Sequence, residues 1–250
     1  MSRLPRFTRH FKSLLAIASL VGTFAVIWHG MVLRGMILVP DGIRLSLGNT
    51  ASFIGLLLAL TALVISVRPM LRGVASGLLM LAAVAAVFTG WSAAPPANTA
   101  ITWQIEAHIL ISLLAYGLLT VGAIVAVYAI VQDGRLRAGK LSTVNQLFAP
   151  LETTERLLYG IAAAGFLALL LAVMSGFVFV DDLFAQHLVH KTVLSLIALL
   201  LFGVLLAGRQ FAGWRGRRAV SLYLWGFATL GLAYFGSRFV LEEVLGRTWT

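Results

Sequence analysis

Hydrophobic residues along the chain fall into seven long runs, each bounded by charged or polar residues. A hydrocarbon core about 30 Å thick is crossed by roughly 20 helical residues, and each run has about that length. Backbone groups in lipid have no water to bond, so the runs are predicted to be helices. The predicted spans are residues 11–33, 47–67, 71–90, 107–131, 157–180, 188–207 and 220–240. The pattern therefore predicts an all-α polytopic transmembrane bundle of about seven spans.

Composition supports the same class of protein. Of the 250 residues, 60% are hydrophobic and only 11% are charged, and the mean hydropathy is +0.96. A water-soluble chain of this length would expose large apolar areas, which lipid would cover. The absence of cysteine excludes disulfides, thiolate metal sites and covalent attachment of a c-type haem to this chain. Any cofactor must therefore be held by histidine or by shape.

The basic residues predict the orientation of the bundle. With a cytoplasmic N-terminus, fourteen of the nineteen Lys and Arg residues fall in cytoplasmic segments, as the positive-inside rule requires. Short basic clusters between apolar runs are typical of loops beside anionic lipid, and they argue against nucleic acid as a partner. The turn at residues 213–218 is interpreted as such a lipid-headgroup anchor. We expect a multi-pass protein of the bacterial inner membrane.

Four of the five histidines are predicted to lie at the outer membrane edge, namely His29, His108, His187 and His190. Ionisable side chains are costly within a membrane, so they point to function by default. Neutral imidazole is the usual protein ligand of haem iron, and bundles hold cofactors between facing helices. These four histidines are therefore candidate ligands of a non-covalent haem b. A helix-end histidine also often reaches the interface or bonds a carbonyl, and that structural interpretation stays open.

Haem also carries two propionates, for which cations at the same edge are the expected partners. Four cations are expected there, Arg34, Arg44, Lys191 and Arg238, and the last two are our candidates for a binding role. Arg238 equally fits an intramembrane ion pair with Glu242, four residues later on the same helical face.

The sequence lacks the motifs that are typical of several other classes of protein. No nucleophile elbow, Walker sequence or glycine-rich nucleotide motif occurs in a suitable context, so we expect no enzymatic activity. The chain has no H-x-x-x-H or H-E-x-x-H pair, the histidine spacings that would favour a zinc site. All six prolines fall outside the predicted spans, which argues against a permease built on broken helices.

Four segments, mainly in the second half of the chain, carry a family resemblance. Residues 107–116 place His108, Ser112 and Tyr116 on one helix, in a histidine-then-Ser-x-x-x-Tyr pattern. The others are residues 157–179 with the Ser175-Gly176 pair, residues 190–196, and residues 213–238. Together they resemble the cytochrome c assembly (CcsA/HemX-like) family of integral membrane proteins. The resemblance covers about residues 105–241 well and the first three spans more loosely.

This resemblance implies haem handling near the outer membrane face, with His108 matching a family haem ligand residue by residue. This chain differs from the family pattern at two places. Members that present haem carry a Trp-x-Trp-Asp-type loop before the sixth span, where this chain has no tryptophan between Asp181 and His187. The family's C-terminal ligand histidine is also missing, since residues 241–244 read Leu-Glu-Glu-Val.

We therefore expect a single domain over residues 1–250 and a haem-binding accessory protein of cytochrome c assembly type. Together, the histidine set and the resemblance imply a non-covalent haem b held by His108 and His190, with His29 as a further candidate. The expected partners of the protein are membrane lipid, haem and other cytochrome-assembly membrane proteins. The two departures leave a second hypothesis open, in which the chain is a membrane scaffold or a regulatory subunit of a transporter that no longer binds haem.

Overall fold

The computed structural model of the protein describes residues 4–39, 42–43, 46–90, 102–138, 150–179 and 189–236. These residues form seven α-helices and little else. The helices are α1 (Leu4–Ile37), α2 (Leu47–Ser66), α3 (Arg72–Val87), α4 (Trp103–Arg137), α5 (Leu151–Phe179), α6 (Val189–Ala212) and α7 (Arg217–Gly231). A 3₁₀ turn, Pro69–Leu71, precedes α3, and α7 continues into a π-helical turn, Leu232–Gly236. Strands β1 (Leu38–Val39) and β2 (Gly42–Ile43) pair antiparallel after α1.

Six of the described helical segments, from α1 to α6, are long and apolar enough to cross a membrane. The prediction of a polytopic helical bundle is confirmed. The seventh predicted span, residues 220–240, corresponds to α7 and its π-helical turn, and residues 237–240 lie outside the described part of the chain. The cytoplasmic position of the N-terminus stays a prediction.

Helices α4 and α5 extend well beyond the predicted spans. α4 has 35 residues and is about 52 Å long, which exceeds the hydrocarbon thickness. Its last turns are polar, and Arg137 pairs there with Asp133 at 3.0 Å. α5 begins six residues before its predicted start, at a turn where Arg156 pairs with Glu152 at 2.7 Å. Hydropathy marks only the segment in lipid, whereas polar residues with helix-stabilising i,i+4 pairs continue the helix into water.

The helices group into two compact units, residues 1–98 and 99–250. In the first unit, α2 packs against both α1 and α3. A Cβ added to Gly55 of α2 would lie 2.7 Å from the Cβ of Ala85 in α3, so these two backbones approach closely, as small residues allow in membrane helices. The single domain expected over residues 1–250 stays a prediction.

In the second unit, α4 packs along α5 and α7, and α6 packs on α5 and α7. The hydroxyl of Tyr223 in α7 donates to the carbonyl of Leu119 in α4 at 3.0 Å. The ring of Phe202 in α6 meets the Tyr223 ring edge-on, with centroids 5.1 Å apart. Buried aromatic pairs of this kind stabilise the packing of helices by more than the burial of their apolar area alone would.

The basic turn between α6 and α7 is held by α5. The hydroxyl of Tyr159 donates to the carbonyl of Trp214 at 2.6 Å, and the backbone N–H of Gly216 donates to the Glu155 carboxylate at 2.8 Å. The guanidinium of Arg209 lies 4.7 Å from the Tyr159 ring centroid, a cation–π contact. The turn predicted to anchor lipid headgroups is therefore an ordered structure, and the lipid contact itself stays a prediction.

Candidate functional site

His108 and Ser175 form a contact between α4 and α5. Nδ1 of His108 lies 2.9 Å from Oγ of Ser175, in a half-buried position. His108 is in the second turn of α4 and Ser175 is in the last two turns of α5, so the helices run antiparallel and bring their sequence-distant ends together. The site therefore lies at the end of the second unit where α4 begins and α5 ends.

The neighbouring hydrogen bond decides which His108 nitrogen carries the proton. Oγ of Ser175 donates its single proton to the carbonyl of Ala172 at 2.9 Å. A hydroxyl has one proton to give, so Oγ must accept from His108, and Nδ1 of His108 is the protonated donor. In neutral imidazole the other nitrogen then has a free lone pair. Nε2 of His108 has no hydrogen-bond partner within the described residues.

Aromatic rings close the same end of the α4–α5 pair. The ring centroids of Trp103 in α4 and Phe179 in α5 are 6.4 Å apart at an interplanar angle of 56°. Each ring lies about one turn beyond the His108–Ser175 pair, on its own helix. The paired rings therefore add apolar surface to the end of the α4–α5 pair that carries His108.

The remaining candidates of the second unit are at the start of α6. His190 and Lys191 are the second and third residues of that helix, and His190 is exposed. Within the described residues, no hydrogen bond or ring contact joins the imidazoles of His190 and His108. His187 and Arg238 fall outside the part of the chain that the structure describes.

His29 belongs to the first unit, where it ends a chain of hydroxyl groups. Nε2 of His29 lies 2.7 Å from Oγ of Ser52, and that oxygen lies 2.5 Å from Oγ1 of Thr89. Thr89 donates its own proton to the carbonyl of Ala86 at 2.6 Å. Ser52 therefore donates to Thr89 and accepts from Nε2 of His29. Unlike His108, His29 has its Nε2 occupied as a donor in this arrangement.

A second polar cluster lies deeper in the second unit, and sequence reasoning did not assign it a role. The hydroxyl of Tyr116 donates to the carbonyl of Leu230 at 3.3 Å and also interacts with the hydroxyl of Ser195. The ring of Tyr116 lies 5.3 Å from that of Tyr234, in the π-helical turn, a backbone form often found near functional sites. Tyr116 and Ser175 had appeared only as carriers of the resemblance, because their partners are on other helices.

Within the described residues, no set of side chains forms a complete metal site by itself. No group of three or more His, Asp or Glu side chains there is arranged to hold an ion. A haem iron needs only one or two axial ligands from the protein, so a single oriented imidazole is a sufficient starting point.

Comparison with known proteins supports the resemblance. The sequence pattern of the family described as "Cytochrome C assembly protein" matches residues 11–245, which includes the first three spans. The chain is 33% identical over 239 residues to "Inner membrane protein YpjD" of Escherichia coli (strain K12), which covers 92% of this chain and 88% of that protein. An "Uncharacterized 28.8 kDa protein in nifR3-like 5'region" of Azospirillum brasilense is 29% identical over 57% of this chain and 53% of its own length. No solved structure matches the chain.

The extent of the family match agrees with the observed architecture. It runs through all the helices from α1 to α7, and the Escherichia coli relative is an inner-membrane protein. The expected location, a multi-pass position in the bacterial inner membrane, is confirmed. The chain belongs to the cytochrome c assembly protein family.

Proposed function

We propose that this protein binds haem b non-covalently, with Nε2 of His108 as an axial ligand of the iron. The observation that carries the proposal is the direction of the His108–Ser175 hydrogen bond. Metal-bound histidines almost always donate their other ring N–H to an acceptor, which fixes the tautomer and the ring orientation. Ser175, itself held by the carbonyl of Ala172, is such an acceptor for Nδ1.

The residues around His108 fit a haem in other respects. The paired rings of Trp103 and Phe179, about one helical turn from His108 and Ser175, provide apolar surface at the same end of α4 and α5. His190 is exposed at the start of α6 and is the proposed second ligand, and Lys191 and Arg238 remain the proposed propionate partners. Bound haem would supply the iron porphyrin required by c-type cytochromes, and the residues of this chain would hold and orient it.

The proposed role is non-enzymatic and belongs to cytochrome c assembly. The family membership supports this role. The free Nε2 of His108 is the atom through which haem iron would be bound. The proposed partners are haem itself and other membrane proteins of cytochrome assembly, which would deliver the haem or receive it.

Absorption spectroscopy tests this proposal. Protein purified in detergent from haem-replete cells should show a Soret band, and His108→Ala should remove it. His190→Ala should leave haem bound but change its ligation and band position. His10→Ala, near the start of α1, is the matched control and should leave the spectrum unchanged. A colourless preparation that gains no Soret band on titration with haemin would contradict the proposal.

The scaffold hypothesis has one specific observation in its favour. The segment before α6 lacks the tryptophans that haem-presenting relatives carry there. If the chain is a scaffold or a regulatory subunit of a transporter, replacing His29, His108 and His190 together should leave the deletion phenotype complemented. Loss of complementation by that triple variant, with normal amounts of protein in the membrane, would eliminate the scaffold hypothesis.

A further inference from the structure

The basic turn between α6 and α7, together with the first residues of α7, carries three exposed arginines. They are Arg215, Arg217 and Arg218, and none of them forms an ion pair within the described residues. By contrast, Arg137 of α4 and Arg156 of α5 each pair with a carboxylate one turn earlier on their own helix. The turn therefore presents positive charge that no carboxylate in the described part of the chain neutralises by direct contact.

Contacts with α6 hold the basic turn in a defined conformation. The backbone N–H of Trp214 donates to the carbonyl of Gly208 at 3.0 Å. The indole packs so closely on Gly208 that a Cβ there would overlap the ring. The guanidinium carbon of Arg218 lies 5.8 Å from the Trp214 ring centroid, a cation–π contact. Arg218 is therefore positioned before a ligand arrives, which reduces the conformational entropy lost on binding.

The same turn lies at the membrane surface. α6 is one of the helices that can cross a membrane, and it ends at Ala212, directly before the turn. Phe211 is 88% exposed there, and tryptophan, the residue type at position 214, is enriched at membrane interfaces. The cytoplasmic leaflet, where the turn is predicted to lie, carries anionic lipid. The arginines are therefore at the level of lipid phosphate groups.

An exposed apolar face of α7 continues from Arg218 into the membrane. Trp225 follows Arg218 by seven residues, so the two side chains lie on one face about 10 Å apart along the helix. Trp225 is 68% exposed, and Leu232, seven residues further, is 61% exposed. A phospholipid has the same arrangement, with a charged phosphate at one end and apolar acyl chains extending from it. A soluble phosphate or an acidic peptide would contact the arginines and leave Trp225 uncovered.

We propose that Arg217 and Arg218 bind the phosphate of one anionic phospholipid, whose acyl chain lies along the exposed face of α7. A guanidinium donates two parallel N–H bonds to a phosphate, so arginine recognises the geometry of the group as well as its charge. The proposed site therefore differs from the general attraction of basic loops to anionic headgroups, which requires charge alone. It is independent of haem binding.

Native mass spectrometry of the full-length protein, released from a neutral detergent, measures the lipid bound during a titration. The probe is dioleoylphosphatidylglycerol, and dioleoylphosphatidylcholine, with the same acyl chains and no net charge, is the lipid control. One phosphatidylglycerol should bind at least about tenfold more tightly than phosphatidylcholine. Arg217→Gln and Arg218→Gln should each weaken phosphatidylglycerol binding about fivefold. Arg137→Gln removes the same charge from an arginine that is already paired, and should leave the affinity within about twofold.

Two further variants test the geometry of the site. Replacing Arg217 and Arg218 together by lysine keeps both charges but removes the forked hydrogen bonds, and should weaken phosphatidylglycerol binding about fivefold. Trp225→Ala should weaken both lipids by a similar factor, because it removes apolar surface from the acyl chain and leaves the arginines intact. Since all three side chains are exposed, the melting temperature of the lipid-free protein should not change.

Several results would overturn the lipid site. Wild-type affinity in the double lysine variant, or an equal loss in Arg137→Gln, would show that charge alone attracts the lipid. Displacement of the lipid by millimolar inorganic phosphate, at constant ionic strength, would assign the arginines to a soluble phosphate. Displacement by a poly-glutamate peptide would assign them to an acidic protein segment. Loss of phosphatidylglycerol in the arginine variants, with none of these results, is the outcome that the proposal predicts.

Discussion

Oγ of Ser175 accepts a hydrogen bond from Nδ1 of His108 at 2.9 Å, although 67 positions separate the two residues in the chain. The serine can accept only because its own proton is donated to the carbonyl of Ala172. This local bond within α5 thus sets the tautomer of an imidazole on α4. The free Nε2 that results is the chemical basis of the proposed haem site.

Ser175→Ala should weaken haem binding without abolishing it. The substitution removes the acceptor of the His108 N–H, and loss of such a partner typically lowers metal affinity 10- to 100-fold. We expect a decrease of about tenfold, because the freed carbonyl of Ala172 can accept in place of the hydroxyl. Haemin titration followed by absorbance measures the effect. Ser66→Ala is the control, since Ser66 makes the same local bond to Leu63 at 2.7 Å, and an equal decrease there would contradict the account.

His29→Ala should leave the haem content of the purified protein unchanged. Nε2 of His29 donates to Ser52, so this nitrogen is not available to iron while the hydroxyl chain is intact. The haem-to-protein ratio, from a pyridine haemochrome assay and amino-acid analysis, checks the expectation. A loss as complete as that of His108→Ala would instead identify His29 as an axial ligand.

The helices could be predicted from the sequence, but the partners of the histidines could not. Hydropathy identifies the apolar part of each of the six described helices that can cross a membrane, because lipid requires it, and it stops short of the polar turns that extend α4 to Arg137. The pairs His108–Ser175 and His29–Ser52 depend on the rotation and register of two packed helices. Those quantities are set by contacts such as Gly165 against Leu119, which a single sequence does not display.

Gly165→Ala should destabilise the second unit, whereas Gly160→Ala on the same helix should not. A Cβ at Gly165 would lie 2.6 Å from Cδ2 of the buried Leu119, whereas a Cβ at Gly160 would meet nothing within 4 Å. Overpacking of this kind typically costs about 1–3 kcal/mol. Thermal unfolding in detergent, followed by fluorescence, compares the two variants. Equal melting temperatures would show that α4 and α5 are not packed as described.

Glu155→Ala should reduce stability more than Glu152→Ala, one turn earlier in α5. Glu155 accepts the backbone N–H of Gly216 in the α6–α7 turn at 2.8 Å, and loss of a hydrogen bond to a charged group costs about 1.5–3 kcal/mol. Among the described residues Glu152 pairs with Arg156 alone, and both side chains are more than 70% exposed, so its loss should cost less than about 1 kcal/mol. Limited proteolysis at the arginines of the turn provides the measurement. Equal cleavage rates in the two variants would contradict a stabilising role for the Glu155–Gly216 hydrogen bond.

The most direct test of the haem site is the absorption spectrum of His108→Gly with haemin, recorded before and after imidazole is added. Removing the side chain leaves a space in which free imidazole can replace the missing ligand. The account predicts no Soret band from bound haem in the variant alone and recovery of the wild-type band with imidazole. A wild-type spectrum in the variant without imidazole would contradict ligation by His108.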